Sequence, residues 1–262
     1  GMLQDLERRY PRRTEALGGL RLSLRESLDK GALAAKQRGD AKAAYALYSQ
    51  LLILEPSDLE LTREMLRQAG PAGFLEQKIA GYAANLELET RGWLDHYLYA
   101  LALTFAGADS LVDAERELRK ARELQPQSVD VVRTLSWVLL NREPQAMDAL
   151  PRAEEVVELI ERQLSRMSED TVGYRELEYS LSLALFRLRK FDRAESILKR
   201  LDSDFHEVSS ARSAYLSLRA DLAYRNGDNE SAIVWLEQLL AAEEATGRAD
   251  RLAELYARLG VV

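Results

Sequence analysis

Cysteine is absent from this 262-residue sequence, and histidine occurs only twice, as His96 and His206. Without thiols the chain has no disulfides, no zinc–thiolate sites and no thiol nucleophile. Neither histidine has a Glu three residues before it, as a helical di-metal site would require. Long apolar runs are missing too, since no segment approaches the ~18 residues that can cross a bilayer as a helix. We therefore expect no metal and no transmembrane segment in this chain.

Catalytic motifs are equally scarce. The sequence has no Gly-rich phosphate loop and no Gly-x-Ser-x-Gly elbow. His96 follows Asp95, but neighbours in a helix point about 100° apart, so we interpret His96 as a partly exposed helical residue. His206, near a predicted helix end, also has a structural interpretation. Carboxylates such as Glu115 and Glu117 alternate with arginines, a pattern typical of surface ion-pair ladders. The sequence predicts no enzyme activity and no cofactor.

Composition favours a large helical core. The chain is 47% hydrophobic and 30% charged, which is too apolar for disorder. Leu, Ala, Glu and Arg dominate, and the alternation typical of strands is missing, so we predict an all-α fold. The net charge of −7 disfavours nucleic-acid binding, which needs a basic stripe. Residues 1–42 hold ten Lys and Arg against six acidic residues, and we interpret this excess as a solvated helical face.

A pattern of small, apolar and proline residues recurs along the chain. Ala44 is followed by Tyr48 and Pro56, and Ala114 is followed by Leu118 and Pro126 at the same spacing. The two alanines are 70 residues apart, or two periods of 35. Related small residues fall at Ala80, Ala153, Ala194 and Ala232. A fixed period of this length predicts stacked structural repeats.

These segments resemble the tetratricopeptide repeat (TPR), a helix–turn–helix unit of 34 residues. The resemblance covers residues 25–245 and implies that small residues sit where the two helices of a unit cross. In the second helices these are the alanines above, and in the first helices we identify Ala32, Ala102, Ser136, Ser182 and Ala220. The expected fold is a right-handed superhelical α-solenoid of about six stacked antiparallel helix pairs with helical caps.

The predicted organisation has three parts. Residues 1–24 are a leader of capping helices broken at Pro11, residues 25–247 are the solenoid, and residues 248–262 are a C-terminal capping helix. Turn signals fall at Gly39-Asp40, Gly70-Pro71, Asp109-Ser110 and Asn226-Gly227-Asp228. No low-complexity linker appears, so we expect one continuous solenoid.

The resemblance also implies a binding groove. In this family the first helices line a concave face, so ligand contacts come from first-helix residues opposite the crossing. In the leading unit these positions are Asp29, Leu33 and Lys36. The chaperone-tail binders of the family have Lys and Asn at such positions, whereas Asp29 and Leu33 stand here, so that function is not expected. The predicted groove residues are Tyr99, with Tyr97 as its alternative, Leu103, Arg133, Trp137, Tyr179, Leu183, Phe186, Arg187, Asp221, Tyr224 and Arg225. Tyr, Trp and Arg dominate interface hot spots.

The sequence therefore predicts a non-enzymatic adaptor that holds a peptide or an amphipathic helix of a partner protein in this groove. Two alternatives remain open. One is a self-assembling structural protein that forms homo-oligomers, and the other is the regulatory repeat segment of a larger protein. The expected compartment is the cytoplasm, or the periplasm if a signal or anchor precedes the residues given.

Overall fold

The computed structural model describes residues 11–143, 146–201 and 210–246, with side chains over residues 18–143, 146–201 and 212–243. Within these residues the chain forms helices and no strand. The α-helices, in chain order, are α1 (Pro11–Gln37), α2 (Ala41–Leu54), α3 (Leu59–Ala72), α4 (Leu75–Asn85), α5 (Trp93–Thr104), α6 (Leu111–Leu124), α7 (Val129–Asn141), α8 (Ala149–Leu164), α9 (Tyr174–Arg187), α10 (Phe191–Leu201), α11 (Ser210–Arg225) and α12 (Asn229–Thr246). A short 3₁₀ helix, Ala108–Ser110, precedes α6.

The helices group into two compact units. The first unit contains residues 1–125 and the second contains residues 126–262. In each unit consecutive helices pack as pairs, and each pair also contacts the next. In the second unit the first helices form a row, because α9 contacts both α7 and α11. The chain is an all-α solenoid of stacked helix pairs, as its 35-residue period predicts.

Short polar residues start several of these helices. The carboxylate of Asp40 accepts a hydrogen bond from the Ala43 amide at 3.0 Å, and Asp58 does the same for Leu61. Asp228 accepts from the Ser231 amide at 3.0 Å at the start of α12. Such N-caps satisfy amide groups that have no partner within the helix.

The crossing positions are buried as predicted, with one exception. Ala32, Ala102, Ser136, Ser182 and Ala220 of the first helices are at most 1% exposed, and Ala44, Ala114, Ala153, Ala194 and Ala232 of the second helices are fully buried. The prediction for Ala80 is wrong, because its side chain is exposed. Helix α4 turns Leu75, Ile79 and Tyr82 toward its neighbours, which leaves Ala80 on the solvent side.

One predicted turn is absent. Gly70-Pro71 is not a turn, because α3 continues through Pro71 to Ala72 and closes at Gly73, whose φ is +84°. A proline in the last turn removes one hydrogen bond without breaking the helix. Helix α1 begins at Pro11, because proline is tolerated in the first turn of a helix. The helix continues without a break past residue 24, the predicted end of the leader. The division into leader, solenoid and cap stays a prediction, and residues 1–10 and 247–262 lie outside the described part.

Candidate functional site

The predicted groove residues belong to both units. Tyr99 and Leu103 lie on α5 in the first unit, and the other nine lie in the second. Tyr99 is half-buried, whereas Leu103 is only 6% exposed and packs in the core of its unit. Tyr97, the alternative to Tyr99, is fully buried, and its hydroxyl accepts a hydrogen bond from Arg63 at 3.0 Å. Of the predicted groove residues on α5, Tyr99 is therefore the one with accessible surface.

Trp137 is the aromatic residue of the predicted set that lies on α7. It is 46% exposed, while the helix buries Val138, Leu139 and Leu140 beside it. One turn earlier, Arg133 is held by Asp130 at 2.8 Å. The same helix thus buries one apolar face and presents a large indole at its surface.

The predicted residues of α9 are half-buried rather than open. Burial raises the pKa of Tyr179 to about 12, so its phenol stays neutral at physiological pH. The ring of Phe186 lies 5.5 Å from that of Phe191 on α10, measured between ring centroids. Leu183 is half-buried as well. These three side chains support the core and also form part of the surface.

Arg187 forms a hydrogen bond between two helices. Its guanidinium donates a hydrogen bond to the Leu140 carbonyl near the C-terminal end of α7. Arg152 donates in the same region to the carbonyls of Arg142 and Glu143. Burial, and then the charge of Arg152, lower the pKa of Arg187. Two arginines thus satisfy carbonyls that the end of a helix leaves without partners.

The last three predicted residues lie on α11, the third helix of the row. On α11, Tyr224 is 47% exposed, Arg225 is exposed and Asp221 is half-buried. Asp221 and Tyr224 lie on one stripe of the helix, since three residues separate them. We use the name first-helix surface for Arg133 and Trp137 of α7, Tyr179, Leu183 and Phe186 of α9, and Asp221, Tyr224 and Arg225 of α11.

The interpretation of His96 as an exposed residue is wrong. Its side chain is 7% exposed, and Nδ1 lies 2.8 Å from Oε2 of Glu117 on α6. Glu117 is buried as well and is contacted by Lys120 at 2.9 Å. The sequence missed this pair because His96 and Glu117 are 21 residues apart and meet only when α5 packs on α6. Glu115 is also buried and pairs with Arg119 at 2.9 Å. Both glutamates therefore form ion pairs at helical spacing, as predicted, but their carboxylates are buried and not at the surface.

No cluster of three or more metal-ligating side chains occurs in the part of the chain that the structure describes. None of the described helices is long and apolar enough to cross a membrane. His206 lies outside the described residues.

A second group of accessible side chains was not predicted. Tyr45 of α2 faces Gln77, Lys78, Tyr82 and Asn85 of α4 across an open cleft. The signal for it is present in the sequence, because the α4 residues recur at i, i+1, i+5 and i+8, on one side of a helix.

Comparisons with known proteins identify the fold. The chain is similar to PilF of Pseudomonas aeruginosa, at 18% identity over 91% of this chain and 99% of PilF, with a TM-score of 0.51. It is similar to PilW, described as a type IV pilus biogenesis factor, at 16% identity over 77% of this chain and 92% of PilW, with a TM-score of 0.53. It is also similar to the Cut9–Hcn1 hetero-tetramer of the APC/C, at 15% identity over 91% of this chain and 48% of the matched chain, with a TM-score of 0.53.

No family model and no curated protein sequence matches the chain. The likeness is one of structure, and it shows that the chain has the TPR-like helical-repeat fold.

Proposed function

We propose that this protein is a non-enzymatic scaffold that binds a partner protein on the first-helix surface. The observation that carries the proposal is the 46% exposure of Trp137 on a helix whose three leucines are all buried. An indole left at the surface costs solvation free energy, and such residues are concentrated in interface hot spots. Tyr224 adds a second half-exposed aromatic ring on the same row of helices.

The best-fitting occupant is an amphipathic helix or an extended peptide of the partner. The first-helix surface contains Arg133, Arg225 and Asp221 as well as aromatic and aliphatic side chains. This mixture of charged and apolar groups suits amphipathic segments, which bind in grooves between helices. The TPR-like fold supports this function by its architecture alone, since the solved structures it resembles are at most 18% identical.

The test compares two variants in a capture experiment from a lysate, followed by a binding titration with the retained protein. Trp137→Ala should weaken binding by about 2 kcal/mol, or about thirtyfold in Kd, while helicity stays unchanged. The control is Val234→Ala, because Val234 of the second helix α12 is 49% exposed and outside the first-helix surface. Equal retention by both variants would contradict the proposal. Tyr179 and Phe186 are unsuitable for the test because their burial would confuse binding with stability.

Self-assembly is a second candidate, and α1 supports it. Leu20, Leu22 and Leu24 are 67%, 61% and 50% exposed within five residues of this helix. Leu20 and Leu24 lie one turn apart on the same side of α1, and exposed apolar side chains on one side of a helix often mark contacts between proteins. Sedimentation equilibrium of the wild type and of a Leu20→Glu/Leu24→Glu variant decides the matter: a concentration-dependent mass that the variant loses supports self-assembly, and a monomer in both cases excludes it.

A further inference from the structure

The first unit contains a cleft between α2 and α4 that is separate from the first-helix surface. Its volume is about 380 Å³, and it is lined by Tyr45, Gln77, Lys78, Gly81, Tyr82 and Asn85. The Tyr45 ring stacks on Phe74 with centroids 4.7 Å apart and an interplanar angle of 21°, which fixes one wall. We refer to these residues as the tyrosine cleft.

Lys78 is the charged group of the tyrosine cleft. Its ammonium lies 5.9 Å from the centroid of the Tyr45 ring, at the outer range of a cation–π contact. Within the residues that the structure describes, this ammonium makes neither an ion pair nor a hydrogen bond. Other lysines of the chain do find carboxylates, as Lys36 does with Glu64 at 2.7 Å.

The remaining polar groups of the cleft can donate hydrogen bonds, and their side chains have no partner among the described residues. The amides of Gln77 and Asn85 and the hydroxyls of Tyr45 and Tyr82 make no side-chain hydrogen bond within the described range. Burial, and then the nearby Tyr45, raise the pKa of Tyr82, so its hydroxyl remains a neutral donor at physiological pH. The lining therefore carries one positive charge, no negative charge and four neutral polar groups.

We propose that the tyrosine cleft binds a carboxylate of a partner protein, with an adjacent apolar side chain lying against the tyrosine rings. The carboxylate would accept hydrogen bonds from Lys78 and from the surrounding amide and hydroxyl groups, which are charge-assisted and therefore strong. The backbone at Gly81 leaves room for this approach, because no atom lies within 4 Å of the place where a Cβ would stand. An Asp or Glu side chain and a chain terminus supply the same chemistry.

The charge of the cleft favours a carboxylate over a nucleic acid. Phosphate backbones are bound by several cations together, whereas the tyrosine cleft offers one ammonium. The net charge of −7 on the whole chain adds repulsion toward a polyanion. A single carboxylate beside an apolar group needs only the one cation and the aromatic wall that are present.

The test uses two small probes that differ only in charge. N-acetyltryptophan carries a carboxylate, and N-acetyltryptophanamide carries none. Each is titrated into ¹⁵N-labelled protein while the Gly81 backbone amide and the side-chain amides of Gln77 and Asn85 are followed by NMR. We expect saturable shifts with the carboxylate and about tenfold weaker binding of the amide probe. Phenyl phosphate serves as a third probe.

The variants separate the site from general charge effects. Lys78→Met should weaken binding of the carboxylate about tenfold, and Tyr82→Phe should weaken it while keeping the ring. Lys30→Met is the matched control, since Lys30 is an exposed lysine of α1 in the same unit. It removes the same charge and should leave the titration unchanged.

Three outcomes would overturn the proposal: no saturable shift with the carboxylate, equal binding of both tryptophan probes, or equal losses in the Lys78 and Lys30 variants. Tighter saturation by phenyl phosphate would reassign the cleft to phosphate groups. None of these results bears on Trp137, so the first-helix surface is tested independently.

Discussion

Two serines stand at crossing positions where the other first helices with an identified crossing residue have alanine, and they differ in one hydrogen bond. The hydroxyl of Ser182 donates to the Tyr179 carbonyl at 2.7 Å. The hydroxyl of Ser136 is equally buried but has no hydrogen-bond partner. A buried polar group without a partner lowers stability, because it has lost its hydrogen bonds to water.

We predict that Ser136→Ala stabilises the protein by about 1 kcal/mol, since it removes the unsatisfied hydroxyl without leaving a large cavity. Urea unfolding followed by circular dichroism measures the change. Ser182→Ala is the control and should give no such gain, because its hydroxyl is satisfied. A loss of stability in Ser136→Ala would contradict the prediction.

Glu117 predicts a specific dependence on pH. Burial alone would raise its pKa, but hydrogen bonds from Lys120, His96 and Arg116 outweigh burial and hold the pKa below its ordinary value of 4.5. Because the folded pKa is lower than the unfolded one, the ionised group stabilises the fold fully above pH 4.5. This stabilisation is lost as the pH falls through the folded pKa.

Glu117→Gln should therefore lower stability at neutral pH by about 1–2 kcal/mol, and the gap to the wild type should close as the medium is acidified. Denaturant unfolding at neutral pH and at several acid pH values measures the gap. If the gap kept its size in acid, the effect would come from packing and not from the charge.

At the scale of the helix, the positions where two helices cross accept only small side chains. Ala194 on α10 is fully buried where the two helices of its pair meet. Ala194→Leu should overpack this contact and cost about 1–3 kcal/mol. Ala80→Leu is the matched control at the corresponding repeat position, where the side chain is exposed and a larger residue is tolerated. Thermal unfolding of both variants compares them, and a neutral Ala194→Leu would show that the pair can repack.

The helix crossings could be predicted from the sequence where the residue type is restricted by close packing. Small residues such as Ala44 and Ala194 identified the crossings because larger side chains do not fit between close helices. The prediction for Ala80 failed because a small residue is also tolerated on the solvent-exposed side of a helix. The residue type alone therefore does not determine which side of α4 packs against its neighbours. The turn predicted at Gly70-Pro71 is absent because a Gly-Pro pair can occur in the last turn of a helix as well as in a loop.

The surface was less predictable than the helices. Of the predicted groove residues, Trp137 is exposed, Leu103 is buried and Arg187 binds the end of a neighbouring helix. The position of Arg187, for example, depends on a backbone group of another helix, the Leu140 carbonyl, which lies 47 residues away in the sequence. A helical period reports which face of one helix is apolar and carries no information on which neighbour covers it.

At the scale of the molecule, each unit has a core of its own. Leu51, Leu66, Leu101 and Leu118 are buried in the first unit, and Leu135, Leu139, Ile160 and Leu185 are buried in the second. Since helix repeats are stabilised mainly by their neighbours, we expect the segments 1–125 and 126–262 to form helical, cooperatively unfolding fragments when produced separately. Circular dichroism with thermal melting tests this, and an unfolded fragment would support one indivisible solenoid.

The lack of buried residues in helix α4 affects how readily this helix unfolds locally. None of its residues is buried, although it lies between two helices that contain buried residues. Segments with few buried contacts unfold locally at a small fraction of the global free energy, and their amide protons exchange with solvent early. A ligand in the tyrosine cleft binds only while α4 is formed, so by mass action it slows that exchange. The exchange rates of the amide protons of α4 would therefore report how much of the cleft is occupied, without any label on the ligand.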